Sequence, residues 1–485
     1  MRSIMFQGTG SDVGKSLVVA GICRLMTTRG LKVKPFKPQN MSNNAAVTKE
    51  GGEIGRAQAL QAKACRVSPS IDMNPILLKP QSEIGAQLII LGKVDGNYPA
   101  KLYQEKKIQL LPLVIDAVKR LEVGTDLIIV EGAGSAAEVN LRDNDIANMG
   151  YAVATQTPVI LVADIDRGGV IASIVGTWEL LPKEERNLVA GYIINKFRGD
   201  VSLFKEAIEL IFDKTGLHCY GILPFMEEAI KLPQEDAHTL DNTILPLRPS
   251  HIKIIIPRLA HISNFDDFDP LLAEPDVDLQ FINRGNPLPG DADLIILPGS
   301  KTTIPDLADF RKQGWDVDIS AHIRRGGHVL GLCAGYQMLG RKILDPNKIE
   351  SDLMSINGLG VLDVDTEIGG DKSLSNVIAH SNMGFGMFTG YEMHLGVTSG
   401  PDDVRPFCKI DKRNSGAVSN NRRVMGCYLH GLFENDKFRN KFLFSIKDRE
   451  SSGINYDQQT ETALDSIANI LQDNLDIEGL LALVD

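Results

Sequence analysis

The first half of the chain alternates short apolar runs with longer stretches that have helical periodicity. The apolar runs are Ile4–Phe6, Leu127–Val130, Val159–Ala163, Tyr192–Ile194 and Tyr220–Leu223. Strands that are apolar on both faces and separated by helices form parallel sheets with helices covering each side. The pattern therefore predicts a parallel-sheet α/β domain in this half of the chain.

A second alternating pattern begins after residue 250 and predicts another α/β domain. Its apolar runs are Lys253–Ile256, Leu294–Leu297 and Val329–Leu332, followed by shorter segments near Gly360–Val364, Tyr391–His394 and Val424–Tyr428. Between the two patterns lies a stretch rich in proline, acidic and polar residues, which is typical of a linker. We predict a first domain over residues 1–235, a linker over 236–250, a second domain over 251–440 and a C-terminal helical segment over 441–485.

Composition narrows the kinds of partner that this chain can have. Its 485 residues exceed one ordinary hydrophobic core and suit two domains. The net charge of -11 disfavours nucleic acid and anionic membranes as partners. No apolar stretch reaches the roughly 18 residues that a membrane span needs. The six cysteines are scattered and form no CxxC pair, which argues against a zinc cluster or a disulfide framework and for a cytoplasmic location.

A glycine-rich loop ending in Gly-Lys-Ser follows the first apolar run and precedes a helical stretch. Glycines allow backbone N–H groups to face a phosphate, and the start of the helix adds positive potential. Lys15 can reach the outer phosphates and Ser16 can hold Mg²⁺. The loop therefore predicts an ATP site formed by Gly8, Thr9, Gly10, Asp12, Val13, Gly14, Lys15 and Ser16. The gap between its outer glycines is one residue longer than usual, which leaves open a glycine-rich turn with an unrelated Gly-Lys-Ser.

Three further polar residues fit a magnesium–nucleotide pocket. Glu131 follows an apolar strand, at the edge where open α/β sheets bind ligands, and can complete the Mg²⁺ shell. A helix-capping turn is the alternative there. Asn195 follows the strand Tyr192–Ile194 and is predicted to contact the nucleotide base. Lys37 lies in a polar run of amides and can stabilise a transferring phosphoryl group, unless that run is simply a solvated loop.

The second domain carries a Gly-x-Cys-x-Gly sequence between an apolar strand and a helix. Such a sharp turn exposes a nucleophile, and the start of the helix favours the thiolate of Cys333. The backbone N–H of Ala334 would form half of an oxyanion hole, with Gly299 in a neighbouring loop as the second donor. A thiolate needs a base, and His430, just past another strand, is the best candidate. The alternative for Cys333 is a buried core cysteine.

Together these motifs resemble the cobyric acid synthases, the glutamine-dependent amidotransferases of cobalamin biosynthesis. The resemblance covers nearly the whole chain, and its specificity comes from many motifs in the right order. The motifs are GTGSDVGKS, FKPQNMSNNA, GGEIGRAQALQA, DMNPILLKPQ, VEGAGSAAEVNLRDNDIANM, DIDRGG, INKFRGD, LPGSKTTIPDL, GLCAGYQMLG, GYEMHLG and CYLHGLF.

The resemblance implies a P-loop domain like that of dethiobiotin synthetase, a family that shares the longer loop. It implies that a class I glutamine amidotransferase domain, flavodoxin-like in its α/β fold, follows. By motif match, Cys333 is the nucleophile and His430 the base. The implied reaction uses ATP and L-glutamine to amidate the b, d, e and g carboxylates of a corrinoid, adenosylcobyrinic acid a,c-diamide. The usual glutamate two residues after the histidine is Leu432 here, so the third triad member stays open, as does a homo-oligomeric state.

Three other readings compete with this one. CTP synthetase has a similar domain order but normally carries the His-x-Glu arrangement that is missing here. Cobyrinic acid a,c-diamide synthase is chemically nearest, and an assay of both corrinoid substrates would separate the two. A partition-type P-loop ATPase would be a non-enzymatic switch, but it usually has a lysine just after the first glycine of the loop, where this chain has Thr9. That reading would also leave the cysteine turn unexplained.

Overall fold

The computed structural model describes residues 2–82, 85–233, 251–370 and 372–484. Contacts divide this part of the chain into two compact units. The first unit comprises residues 2–42, 48–233 and 460–484, and the second comprises residues 43–47 together with the described part of 251–459. The predicted linker over 236–250 lies outside the described residues.

The first unit is built on a six-stranded parallel sheet. Its strands, in spatial order, are His218–Pro224, Val189–Phe197, Val159–Asp164, Ser3–Gly8, Leu127–Ser135 and Val33–Phe36. Each of the five apolar runs of this half lies within one of these strands. The predicted parallel α/β architecture is therefore confirmed.

Both faces of this sheet are buried, because successive side chains of a strand point to opposite faces. Ile4 and Phe6 belong to one hydrophobic core, whereas Met5 between them belongs to the other. The helices of the unit in its first 233 residues are Lys15–Thr28, Arg56–Ala64, Ala100–Glu122, Met149–Thr155, Val170–Leu180, Lys183–Arg186 and Lys205–Thr215. A smaller sheet joins Gln39–Met41, Ile76–Ser82, Gly85–Ile90 and Lys93–Pro99, and Glu53–Gly55 is a further short strand.

Two C-terminal helices, Tyr456–Asn474 and Ile477–Ala482, add to the first unit through residues 460–484. The longer one packs on the helix Lys15–Thr28, where a Cβ atom at Gly21 would lie 2.7 Å from Ile467. The fully buried Arg24 binds Glu461 at 2.6 Å. The C-terminal part of the chain thus supports the helix that follows the glycine-rich loop.

The second unit is also built on a six-stranded sheet, parallel except at one edge. Its strands, in spatial order, are Val277–Ile282, Ile252–Pro257, Leu294–Leu297, His328–Leu332, Val424–Cys427 and Ala417–Val418. The helices that accompany it are Asp269–Leu272, Thr303–Lys312, Trp315–Arg324, Ala334–Leu339 and Asp436–Ile446.

Smaller sheets complete the second unit. An antiparallel sheet contains Arg413–Ser415, Cys408–Ile410, Ser373–Ser381, Met387–His394 and Leu429–His430. Another contains Ser355–Asn357, Lys342–Leu344, Asp365–Glu367 and Val397–Ser399, and Ile262–Ser263 pairs with Gly299–Ser300. The strand expected near Gly360–Val364 was wrong, because that segment is a run of bends and the strand begins at Asp365. Among the described residues, no helix combines the length and apolar character that crossing a membrane requires.

Candidate active sites

The glycine-rich loop joins the strand Ser3–Gly8 to the helix Lys15–Thr28. Gly14 has a φ of 89°, and a Cβ atom there would lie 2.3 Å from Nδ2 of Asn195. A Cβ atom at Gly8 would lie 2.7 Å from Nζ of Lys15. Glycine is therefore required at both positions, because the chain passes too close to polar side chains for any other residue.

Lys15 stabilises the loop by hydrogen bonding to two backbone carbonyl groups. Its Nζ atom donates hydrogen bonds to the carbonyl oxygens of Gly10 at 3.2 Å and Gly134 at 2.8 Å. The backbone N–H of Thr9 donates to the carbonyl of Val162 at 3.0 Å. The loop is thus preformed around a positive charge, as a phosphate-binding loop requires.

Asn195 and Lys196 fix the same loop from the neighbouring strand. Nδ2 of Asn195 donates to the carbonyl of Val13 at 2.9 Å, and this side chain is almost fully buried. Nζ of Lys196 donates to the carbonyl of Asp12 at 2.6 Å and to Oδ2 of Asp164 at 2.8 Å. The structure therefore brings Asn195 to the loop backbone, where its predicted contact with a nucleotide base stays a prediction.

Glu131 contacts two other predicted residues of this unit, Ser16 and Lys37. Its carboxylate is fully buried, and Oε1 accepts hydrogen bonds from Oγ of Ser16 at 2.8 Å and Nζ of Lys37 at 2.7 Å. Gln61, which the sequence reasoning missed, donates from Nε2 to Oε2 at 2.5 Å. Gln61 lies in the GGEIGRAQALQA run, whose density of amides was the available signal.

This arrangement fits a magnesium ion that also binds phosphate. Mg²⁺ takes one or two carboxylates, a hydroxyl and phosphate oxygens rather than a dedicated cage of protein ligands. Ser16 and Glu131 present one hydroxyl and one carboxylate in contact with each other at the start of the P-loop helix. No cluster of three or more His, Cys, Asp or Glu side chains with metal-binding geometry occurs in the described chain, so a dedicated cage is not offered there.

In the second unit, Cys333 occupies a strained turn between the strand His328–Leu332 and the helix Ala334–Leu339. Its φ of 51° is unfavourable for a residue with a side chain, and such strain is characteristic of functional sites. A Cβ atom at Gly335 would lie 2.1 Å from the carbonyl oxygen of Leu297, so only glycine fits there. This geometry is that of a nucleophile elbow.

The loop that carries Gly299 lies beside the elbow because neighbouring parallel strands end together. Leu297 pairs with Gly331, two residues before Cys333, and Gly299 follows two residues after Leu297. A Cβ atom at Gly299 would lie 3.2 Å from Cε1 of His430. Gly299 and the first residue of the elbow helix, Ala334, are thus in the part of the fold where the predicted oxyanion hole would form.

His430 is buried and fixed by a carboxylate. Its Nδ1 atom lies 2.6 Å from Oδ2 of Asp267, whose Oδ1 accepts the backbone N–H of Gly431 at 2.7 Å. Burial alone lowers the pKa of His430, but Asp267 and the hydrogen-bonded thiol of Cys333 raise it to about 10. The ring is therefore held in the protonated form beside the sulfur of Cys333.

Asp267 is the third member of this cluster, and the sequence reasoning missed it. That reasoning looked for a carboxylate just after the histidine, whereas Asp267 precedes it by 163 positions. The residue lies on the short 3-10 helix Phe265–Phe268, all of whose side chains are buried. Two adjacent acids between buried phenylalanines were the available signal, because buried carboxylates require partners.

His394, in the GYEMHLG motif, is a second histidine near the elbow. Its ring stacks on Tyr428 with centroids 3.7 Å apart, and the carbonyl of the preceding Met393 accepts from Sγ of Cys333 at 3.5 Å. Burial lowers the pKa of His394 to about 4, with a smaller contribution from His430. His394 is therefore neutral at physiological pH, because burial lowers its pKa by more than the nearby carboxylate of Glu392 raises it.

The other cysteines have the properties of packing residues. All six are free, and burial raises the pKa of Cys408 to about 12 and that of Cys23 and Cys427 well above the usual value. A thiol with a raised pKa is a poor nucleophile. Cys333 alone combines the elbow with a hydrogen-bonded imidazolium among the described residues.

Comparison with protein families matches two domain models to this chain. Residues 4–240 match the CobQ/CobB/MinD/ParA nucleotide binding domain, and residues 253–438 match the CobB/CobQ-like glutamine amidotransferase domain. The first match contains the P-loop and Glu131, and the second contains Cys333, Asp267 and His430. Each cluster of site residues therefore lies within a domain of matching chemistry.

Curated relatives extend this similarity over almost the whole chain. A protein named cobyric acid synthase from Rhizobium rhizogenes is 55% identical over 475 residues, which is 98% of each chain. The protein of that name from Sinorhizobium is 53% identical with the same coverage, and that from Brucella suis is 52% identical over 482 residues and 99% of each chain.

Proposed function

This chain belongs to the family of cobyric acid synthases, and we propose that it amidates the b, d, e and g carboxylates of adenosylcobyrinic acid a,c-diamide, using ATP and the side-chain nitrogen of glutamine. The observation that carries the proposal is the cluster of Cys333, His430 and Asp267 in one unit of a chain whose other unit has a nucleotide-binding loop. Assigning the chain as a CTP synthetase or as a partition-type ATPase would explain neither its similarity to full-length cobyric acid synthases nor its whole set of motifs.

In the glutaminase half-reaction, the thiolate of Cys333 attacks the side-chain carbonyl carbon of glutamine. Backbone N–H groups of Ala334 and Gly299 stabilise the oxyanion that forms, because preorganised donors act strongly in a site with little water. The imidazolium of His430 gives its proton to the amide nitrogen, the C–N bond breaks, and ammonia leaves. Water, deprotonated by the neutral ring, then hydrolyses the thioester and releases glutamate. Asp267 keeps the ring oriented throughout.

In the synthetase half-reaction, a carboxylate oxygen of the corrinoid attacks the γ-phosphorus of ATP. ADP leaves and an acyl phosphate forms, in which the carbonyl carbon is open to attack by ammonia. That second attack releases phosphate and leaves the carboxamide. Backbone N–H groups of the P-loop hold the phosphates, and Lys15 and Lys37 stabilise the negative charge during transfer. Ser16 and Glu131 would hold Mg²⁺, which would supply positive charge to the phosphates.

Replacement of the nucleophile tests the division of labour. In the Cys333→Ala variant, amidation driven by glutamine should vanish while amidation driven by free ammonia persists, because only the first needs the thiolate. Cys408→Ala is the matched control, since Cys408 is also a buried cysteine of the same unit but lacks the elbow. Loss of both activities in Cys333→Ala, with unchanged Cys408→Ala, would contradict the proposal.

The substrate is tested by product mass. Purified enzyme is incubated with ATP, glutamine and either cobyrinic acid a,c-diamide or cobyrinic acid, each with and without the adenosyl group. The proposal expects stepwise conversion of the diamide to products with up to four further amides and no conversion of cobyrinic acid. Amidation of cobyrinic acid instead would identify an a,c-diamide synthase. Replacing Lys15 with Ala should abolish synthesis from both nitrogen sources.

The cysteines support the cytoplasmic location that we propose. Six free thiols, five of them buried, are compatible with a reducing cytoplasm, which is where we expect the enzyme to act. Fractionation of cells that produce the protein, with detection of its activity in the cytoplasmic fraction, tests this expectation. Recovery in the membrane fraction would contradict it.

A further inference from the structure

Gln61 lies next to the nucleotide site and has no role in the mechanism proposed for ATP and glutamine. Its side chain is completely buried on the helix Arg56–Ala64. Nε2 donates to Oε2 of Glu131 at 2.5 Å and makes a longer hydrogen bond to the backbone carbonyl of Ser16 at 3.4 Å. A single amide group thus contacts both residues that we propose as magnesium ligands.

The two oxygens of Glu131 are used differently. Oε1 faces the hydroxyl of Ser16 and the ammonium of Lys37, which is the side where phosphate and a cation would bind. Oε2 faces Gln61. A carboxylate held at one oxygen cannot rotate freely, so its other oxygen keeps a fixed position. Such outer hydrogen bonds typically change metal affinity by about 10- to 100-fold.

A second observation points from Gln61 toward a ligand. Its Oε1 atom is buried and has no hydrogen-bond partner. A buried amide oxygen without a partner has lost its hydrogen bonds to water, and this loss is unfavourable unless a ligand or a water molecule supplies a donor. A water molecule bound to Mg²⁺ is a strong donor, and Mg²⁺ in nucleotide sites usually keeps several such waters.

We propose that Gln61 is a positioning residue of the magnesium–nucleotide site: its Nε2 atom fixes the Glu131 carboxylate and its Oε1 atom accepts a hydrogen bond from a water of the cation. This inference rests on the proposed role of Glu131. It assigns to Gln61 a function in setting the affinity for Mg²⁺, separate from the binding of the nucleotide itself.

The helix provides a matched control. Gln58 lies one turn earlier and is also completely buried, but its Oε1 atom accepts from Nδ2 of Asn40 at 3.0 Å. Replacing either glutamine with leucine or methionine removes one buried amide from the same helix face. Only the replacement at position 61 removes a contact with Glu131, so the pair separates loss of packing from loss of cation positioning.

The experiment measures binding of a non-hydrolysable ATP analogue to the full-length protein by calorimetry, in EDTA and over a series of Mg²⁺ concentrations. Gln61→Leu and Gln61→Met should raise the Mg²⁺ concentration for half-maximal tightening about 10-fold or more. Analogue affinity in EDTA should stay as in the wild type. Gln58→Leu should leave the Mg²⁺ midpoint unchanged. Thermal melting of each variant in EDTA identifies any that do not fold, and methionine, which fills a similar volume, serves if leucine fails.

The outcomes separate this inference from the proposed function. An unchanged Mg²⁺ midpoint in both Gln61 variants, alongside a raised midpoint in Glu131→Gln, would overturn the role of Gln61 and leave that of Glu131 standing. An unchanged midpoint in Glu131→Gln would remove the magnesium site itself. Equal shifts in the Gln58 and Gln61 variants would mean that only packing of the helix matters, which also overturns the inference.

Discussion

Replacing Asp267 with Asn tests the triad most directly, because it changes one oxygen to nitrogen at almost constant volume. The carboxylate makes two hydrogen bonds, to Nδ1 of His430 at 2.6 Å and to the backbone N–H of Gly431 at 2.7 Å. An asparagine can keep only one acceptor. If its oxygen stays with Gly431, its NH₂ group faces the ring and favours the tautomer with a proton on the nitrogen that faces the sulfur.

The size of the effect follows from these contacts. A hydrogen bond to a charged group is worth about 1.5–3 kcal/mol, which corresponds to a loss of roughly 10- to 100-fold in rate. The wrong tautomer adds to this loss, so we expect glutaminase turnover to fall by about 10²- to 10³-fold. Without the carboxylate, burial lowers the pKa of His430 from its value of about 10. The imidazolium is then lost at lower pH, and the basic limb of the pH profile moves down.

The assay compares glutamate release and ammonia-driven amidation in the same preparations across a pH series. Asp267→Asn should lose the first and keep the second. Glu274→Gln is the control, because Glu274 is a fully buried carboxylate of the same unit that binds Arg439 and Arg449 instead of a catalytic group. Full glutaminase activity in Asp267→Asn, or equal losses in the two variants, would refute a specific role for Asp267.

Three further substitutions follow from close contacts and charge. Gly14→Ala should weaken binding of an ATP analogue by at least about 10-fold in calorimetry, because its Cβ would lie 2.3 Å from Asn195 and φ is 89°. Gly335→Ala should abolish glutaminase activity and lower the melting temperature, since its Cβ would lie 2.1 Å from the carbonyl of Leu297; a fully active variant would contradict the elbow geometry. Glu131→Gln should raise the Mg²⁺ concentration needed for ammonia-driven synthesis by about 10-fold or more, with no change in glutaminase turnover.

The sequence by itself determined the α/β class and the residues at its strand ends. Apolar runs such as Val159–Ala163 must be buried on both faces, and a parallel sheet between helices achieves this. The glycine spacing around Lys15 and Cys333 is visible within short segments, and Gly14 has the positive φ of 89° that favours glycine. Information of this kind is carried by short segments, so it can be read without knowing which parts of the chain meet.

Tertiary structure decided which distant side chains complete each cluster. Asp267 reaches His430 across 163 positions because its short 3-10 helix packs beside the strand end that carries the histidine, and nothing in the local pattern specifies that pairing. Gln61 likewise reaches Glu131 across 70 positions. The C-terminal residues 460–484 add to the first unit through Arg24 and Gly21, although they follow the second unit in sequence. Such pairings depend on which buried charges and apolar faces come together in the folded chain. The order of polar and apolar residues along the sequence does not specify these partners.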